Sequence, residues 1–156
     1  MSKSLKRVMH ALGDAGLDIT PSELGPETRT AQQAADAANC ELDQIAKSVI
    51  FAGQTSGNAV LFITAGGNKV DDTKASALAG EALGKADAAL IRAQTGFAIG
   101  GVAPVGHLNP IRAFFDERLL AFDVIYAAAG TPRHIFPIKP DELLKISGSQ
   151  LSDFTS

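Results

Sequence analysis

Apolar and polar positions follow two different periods along this chain. Leu5, Val8, Met9 and Leu12 recur at helical spacing, with Lys3, Lys6, Arg7 and Asp14 on the other faces. This predicts an amphipathic helix over Ser4–Ala15, ended by Gly16. Leu17–Leu24 reads as a short extended piece and Gly25-Pro26 as a turn. Thr30 is placed to cap an alanine-rich helix reaching Asn39, and Cys40–Gln44 connects it onward. The pattern then changes. Ile45–Ala52 and Ala59–Thr64 are apolar, strand-length runs on either side of the polar, glycine-containing Gln54–Asn58, which predicts a hairpin. Asp71 or Asp72 opens a third helix running to about Leu83, and Ala86–Ala93 forms a shorter fourth. Arg112–Phe115, Leu119–Ala128 and His134–Ile138 read as strands. Pro140 sits at the first turn of a terminal helix. With no internal repeat and no linker, this order predicts a single α+β domain, residues 1–156, built on a curved mixed sheet surrounded by helices.

Composition narrows the class. The 156 residues are 46% hydrophobic and 20% charged, which is the balance of a globular chain with a real core. Cys40 is the one cysteine, so neither an internal disulfide nor a cysteine-based metal site is available. The three histidines, His10, His107 and His134, lack the paired spacing of zinc ligands. A net charge of −3 argues against a general nucleic-acid binder, while leaving room for a local basic patch. No apolar signal core or run of about 20 residues suggests export or a membrane span. The cytoplasm is the expected compartment.

Two places carry candidate chemistry. Lys47 lies within the strand Ile45–Ala52, on the alternation face of Ile45, Val49 and Phe51. A lysine there either snorkels at a sheet edge or meets an anionic ligand. The second place is Thr95–His107, with four glycines and Pro104 in otherwise mostly apolar sequence. Gly100 and Gly101 allow positive φ or close backbone approach. Such a loop either packs helix against sheet or presents bare N–H and C=O groups to a ligand. His107, directly after Gly106, is either a polar loop histidine or a general base. No G-x-S-x-G elbow or P-loop is present.

Gly100–Pro104 resembles the Gly-x-x-x-Pro loop of the YbaK/EbsC family, the prolyl-tRNA synthetase-associated editing domain. The likeness runs over roughly residues 3–150. Its best pieces are Lys47 in its strand, Asp72–Leu83, Thr95–Gly106 and Gly130–Leu143. Thr95-Gly96-Phe97 stands where Thr-Gly-Tyr is common, keeping the ring and losing the hydroxyl. The resemblance implies that family's fold and a trans-acting deacylase for mischarged tRNA, such as tRNA(Pro) carrying alanine, cysteine or another small amino acid. It implies no cofactor and no metal. The implied partners are the aminoacyl-tRNA acceptor end and prolyl-tRNA synthetase, with Lys69 and Lys74 flanking the acceptor stem. Lys47 would hold a phosphate or the terminal sugar, while Gly100, Gly101 and Pro104 supply the catalytic loop. Ile45, Val49, Thr95, Phe97, His107, Asn109, Ala129, Gly130 and His134 would surround the aminoacyl group. The alternative is a non-catalytic module of the same fold that binds a nucleotide or a tRNA end.

Overall fold

A computed structural model describes residues 2–25 and 30–156; Pro26 of the expected Gly25-Pro26 turn lies outside them. The first helix, α1 (Lys3–Asp14), begins where Ser2 Oγ accepts from the Leu5 N–H at 3.0 Å, and it buries Leu5, Val8 and Leu12. Strand β1 (Ser22–Glu23) follows. In α2 (Ala31–Ala38), Thr30 and Gln33 form a reciprocal capping box, and Asn39 ends the helix at φ 56°.

The hairpin β2 (Ile45–Gly53) and β3 (Ala59–Ala65) is the centre of the molecule. Every residue of β3 is buried, which is why its sequence shows no polar alternation. Leu61, Ile63 and Ala65 enter the main core with Leu5, Val8, Leu12, Phe97 and Phe136. Val60 and Phe62 enter a smaller one on the opposite face, where Phe62 stacks on Phe114 at 5.2 Å and meets Phe154 edge-on at 5.0 Å.

The helix α3 (Asp72–Ala79) stops earlier than the sequence suggests, because Gly80 takes φ 77°. The chain then forms a short strand β4 (Leu83–Lys85) on the far edge of β2. Asp87 caps α4 (Ala88–Thr95). The parallel strand β5 (Arg112–Asp116) pairs with β3. Leu119–Ala128 is not one strand. Asp116 Oδ1 accepts from the Arg118 N–H and starts a 3-10 turn, Glu117–Ala121, so that only β6 (Ile125–Ala128) is extended. Then come β7 (His134–Ile138), α5 (Pro140–Ile146) and a strand the pattern did not announce, β8 (Gln150–Ser152). The mixed eight-stranded sheet runs β1-β7-β6-β2-β3-β5-β8, with β4 also on β2.

Asp116 ties this sheet together. It is buried, and Oδ2 accepts from Ala65 N–H at 3.0 Å and Asn68 Nδ2 at 2.9 Å. Asp116→Ala leaves the buried Ala65 donor without an acceptor, and should lower unfolding free energy by about 2 kcal/mol or more in a urea titration.

Candidate functional site

One edge of β2 is interrupted. Its hairpin edge pairs with β3 from Ala46 to Ala52. Its other edge pairs with β6 at Ile45 and Ala46 only, and with β4 from Phe51 to Gly53. Between these, among the described residues, Lys47–Ile50 has no strand beside it, and a cleft of about 500 Å³ occupies the gap. Its size is that of a small-molecule site. Beside β2 the walls come from Ala31 and Ala34 of α2, from Ile99, Gly100 and Val102, and from Thr131, Pro132 and His134. Ile45 and Val49 line it.

Lys47 lines the cleft, but its ammonium turns toward the β3 end, where Nζ donates to Gly66 O at 3.3 Å. Burial and the neighbouring Lys69 pull its pKa below the ordinary lysine value, against the opposing pull of Asp116 and Asp43. Lys74, by contrast, is held at the surface by Asp153 at 3.2 Å and by Thr155 O at 2.9 Å.

The glycine-rich loop divides between cleft and core. Gly100 faces the cleft with φ 90°, and a β-carbon there would meet nothing within 4 Å. Gly101 is buried against the next loop: a β-carbon would lie 2.8 Å from Thr131 C and Cα. Its N–H is already donated to Ala98 O at 3.1 Å. Among the described residues the N–H groups of Gly100 and Val102 have no hydrogen-bond partner, so these two donors, not Gly101, are open at the wall.

Several predicted contacts lie away from the cleft. Thr95 is wholly buried; its Oγ donates to Ile91 O at 2.6 Å and accepts from Phe97 N–H at 3.1 Å, closing the end of α4. Phe97 is a core ring under the Arg7 guanidinium, 4.5 Å from the ring centroid. Pro104, His107 and Asn109 border a different hollow, between α1 and the end of α5. Asn109 Nδ2 donates to Ala93 O and Gln94 O at the C-terminus of α4. Ala129 is buried in the main core. Gly130, at φ 93°, passes so close to α1 that a β-carbon would lie 2.7 Å from Ser4 O. These residues shape the loops and leave the lining to others, because the apolar sequence that looked like pocket is needed to bury the loop itself.

His107 Nε2 lies 2.7 Å from Ala103 O, and since a carbonyl only accepts, Nε2 carries the proton. Burial lowers its pKa, the Ala103 bond opposes this, and Arg7 adds to the lowering. The sign follows: the stability this neutral ring contributes is complete above about 6.5 and is lost as pH falls through the lower folded value. A His107→Gln variant, still able to donate to Ala103 O, should flatten that part of the urea-midpoint profile between pH 7 and 5.

His134 is the histidine that does reach the cleft. Its Nδ1 is 2.6 Å from Thr131 Oγ, and its Nε2 is 3.9 Å from Glu23 Oε2. Sequence reasoning missed Ser48, Val102 and Thr131. Ser48 directly follows Lys47, and a small hydroxyl in an apolar strand was the available signal. Among the described residues no three His, Cys, Asp or Glu side chains gather as metal ligands, and no helix is long and apolar enough to cross a membrane. The arrangement offers a cation, an imidazole and unpaired backbone donors around an open strand edge. Fixed donors of this kind stabilise a developing oxyanion.

A family model for the aminoacyl-tRNA editing domain matches residues 25–146. The chain is 30% identical over 134 residues to the uncharacterized protein YwhH of Bacillus subtilis (strain 168), covering 86% of this chain and 83% of that one. It superposes with TM-score 0.93 and 44% identity on a crystal structure described as "a putative trans-editing enzyme for prolyl tRNA synthetase", over 100% of this chain and 99% of that one. The hypothetical protein APE2540 shares the fold at TM-score 0.87 and 24% identity, over 96% and 99% of the two chains.

Proposed function

Because the chain belongs to the aminoacyl-tRNA editing domain family, we propose that it is a trans-acting deacylase, a hydrolase that cleaves the ester of mischarged tRNA in the cytoplasm. Its substrate in this reading is tRNA(Pro) carrying alanine, cysteine or another small amino acid, and prolyl-tRNA synthetase is its partner in quality control. The observation that carries the reading is the β2 gap, where Lys47, Gly100, Val102 and His134 meet in one cleft.

Hydrolysis proceeds by attack of water on the acyl carbon, and the bond to the ribose oxygen breaks. The N–H groups of Gly100 and Val102 receive the charge that develops on the carbonyl oxygen. Lys47, a point charge on a flexible stem, swings from Gly66 to the terminal sugar or its phosphate and stabilises the leaving side. His134, held by Thr131, forms the end wall.

Selectivity follows from size. A synthetic site for proline discriminates against a ligand smaller by one methylene by only about 1–3 kcal/mol. A second, smaller site that hydrolyses what enters it corrects the residue of errors. Ile45, Val49, Ile91 and Val102 give this cleft its apolar lining. The test is to incubate the protein with tRNA(Pro) charged in turn with alanine, cysteine and serine, and to follow free amino acid. Release of a small amino acid supports the reading; retention of every ester with tight binding of the tRNA end would support the non-catalytic module instead.

A further inference from the structure

The strand edge that borders the cleft carries its own unpaired groups. In β2, Gly53 N–H donates to Asn58 O on the hairpin side, and Gln54 N–H donates to Ala82 O on the β4 side. Peptide groups alternate along a strand, so even-numbered residues of β2 point to the interrupted edge. Ala46 is held there by β6, and the Phe51–Lys85 register of β4 takes the Ile50 carbonyl. What remains is the N–H and C=O of Ser48 and the N–H of Ile50. None of them has a hydrogen bond among the described residues. Ser48 Oγ is buried and without a partner, and Ser48 lines the same cleft. Buried polar groups without partners are rare in native proteins, and this one sits beside three unpaired backbone groups on half-buried residues.

Their spacing has a specific complement. In a parallel ladder, one residue donates its N–H to the carbonyl of residue i−1 on its neighbour and accepts at its own carbonyl from the N–H of residue i+1. β6 pairs with β2 in parallel up to Ala46 and Ala127, then leaves. The Ser48 carbonyl and Ile50 N–H are the next such positions, open for one residue-sized group with a donor and an acyl carbonyl. We propose that the interrupted edge of β2 binds the amino acid itself: its α-amino group donates to the Ser48 carbonyl and hydroxyl, and its acyl carbonyl accepts from the Ile50 N–H before attack, the Gly100 and Val102 N–H groups then taking the charge that develops on the same oxygen. This rests on the deacylase reading for the identity of the ligand. It makes a free α-amino group a requirement of the site, independent of the side chain, and makes Ser48 a substrate-binding residue.

The test uses two non-hydrolysable ligands, 3′-(L-alanylamino)-3′-deoxyadenosine and its 3′-propionylamino counterpart. They differ only in the α-amino group, and the one without it is the smaller, so steric exclusion does not separate them. The alanyl compound should bind at least tenfold more tightly to wild-type protein by calorimetry. It should also shift the amide resonances of Ser48 and Ile50. Ser48→Ala should weaken the alanyl compound several-fold and leave the propionyl compound unchanged. Equal affinity of the two compounds for wild type, or binding of the alanyl compound without movement of the Ser48 and Ile50 amides, overturns the proposal, as does failure of the alanyl compound to bind. Ester hydrolysis is measured separately: a protein that releases alanine from tRNA yet binds both analogues alike is a deacylase that does not read the α-amino group here.

Discussion

Gly101→Ala is expected to lose most deacylation while remaining folded. Its φ lies outside the left-handed region, so alanine carries no backbone strain there; the obstacle is contact. The added carbon would sit 2.8 Å from Thr131 C and Cα and 3.0 Å from Pro132 N, all backbone atoms that cannot rotate aside. The loop must lift off the segment that carries His134, and Gly100 N–H moves with it. Overpacking of this kind costs about 1–3 kcal/mol in stability. A displacement near 1 Å at a reacting centre costs about 10²-fold in rate. Gly100→Ala makes the contrasting case: nothing within 4 Å obstructs the methyl, but φ 90° disfavours any side chain by roughly 1–2 kcal/mol. Thermal melts and kcat/KM on both variants check the pair. Wild-type kcat/KM in Gly101→Ala would mean that the loop's seat on Thr131 does not set the active geometry.

Lys47→Met should reduce kcat/KM by about 10²–10³-fold, the scale for removing one group that stabilises transition-state charge. It should do so without loss of stability. Burial holds the Lys47 pKa below its ordinary value, so the charged side chain weakens the fold at neutral pH, and that penalty fades as pH rises toward 10.5. Methionine removes the penalty, so the variant should match or exceed wild type in urea at pH 7. Lys47→Arg should not restore the rate, because a planar fork does not replace a compact ammonium. Full activity in Lys47→Met would take the ammonium out of the reaction.

The fold was legible where one physical signal dominated. Thr30 and Asp71 cap their helices through side-chain oxygens, and the Gln54–Asn58 loop joins two apolar runs. The misreadings came where tertiary contacts outweigh pattern. Leu119–Ala128 looks extended, yet the Asp116 carboxylate starts a 3-10 segment, Glu117–Ala121, that takes in its first residues. The strands β4 and β8 have three residues each, too short to show a period.

At the site, Lys47 and Gly100 stood out because each is costly without a purpose: a lysine in an apolar strand, a glycine pair in an apolar loop. Phe97, Thr95 and His107 stood out for the same loop, but their partners, Arg7, Ile91 and Ala103, are contacts that spacing does not encode. Ser48 offered the sequence only a small hydroxyl in an apolar strand. Its importance lies in what β6 and β4 fail to cover, and a gap between strands has no residue of its own.

The deacylase is tested most sharply by kcat/KM for alanyl-tRNA(Pro) against prolyl-tRNA(Pro), on the same tRNA and with the same wild-type protein. A cleft of this size and lining, acting as the smaller sieve, predicts release of alanine at least tenfold more efficient than release of proline. Equal release of the two, or release of neither above the uncatalysed rate, would contradict it.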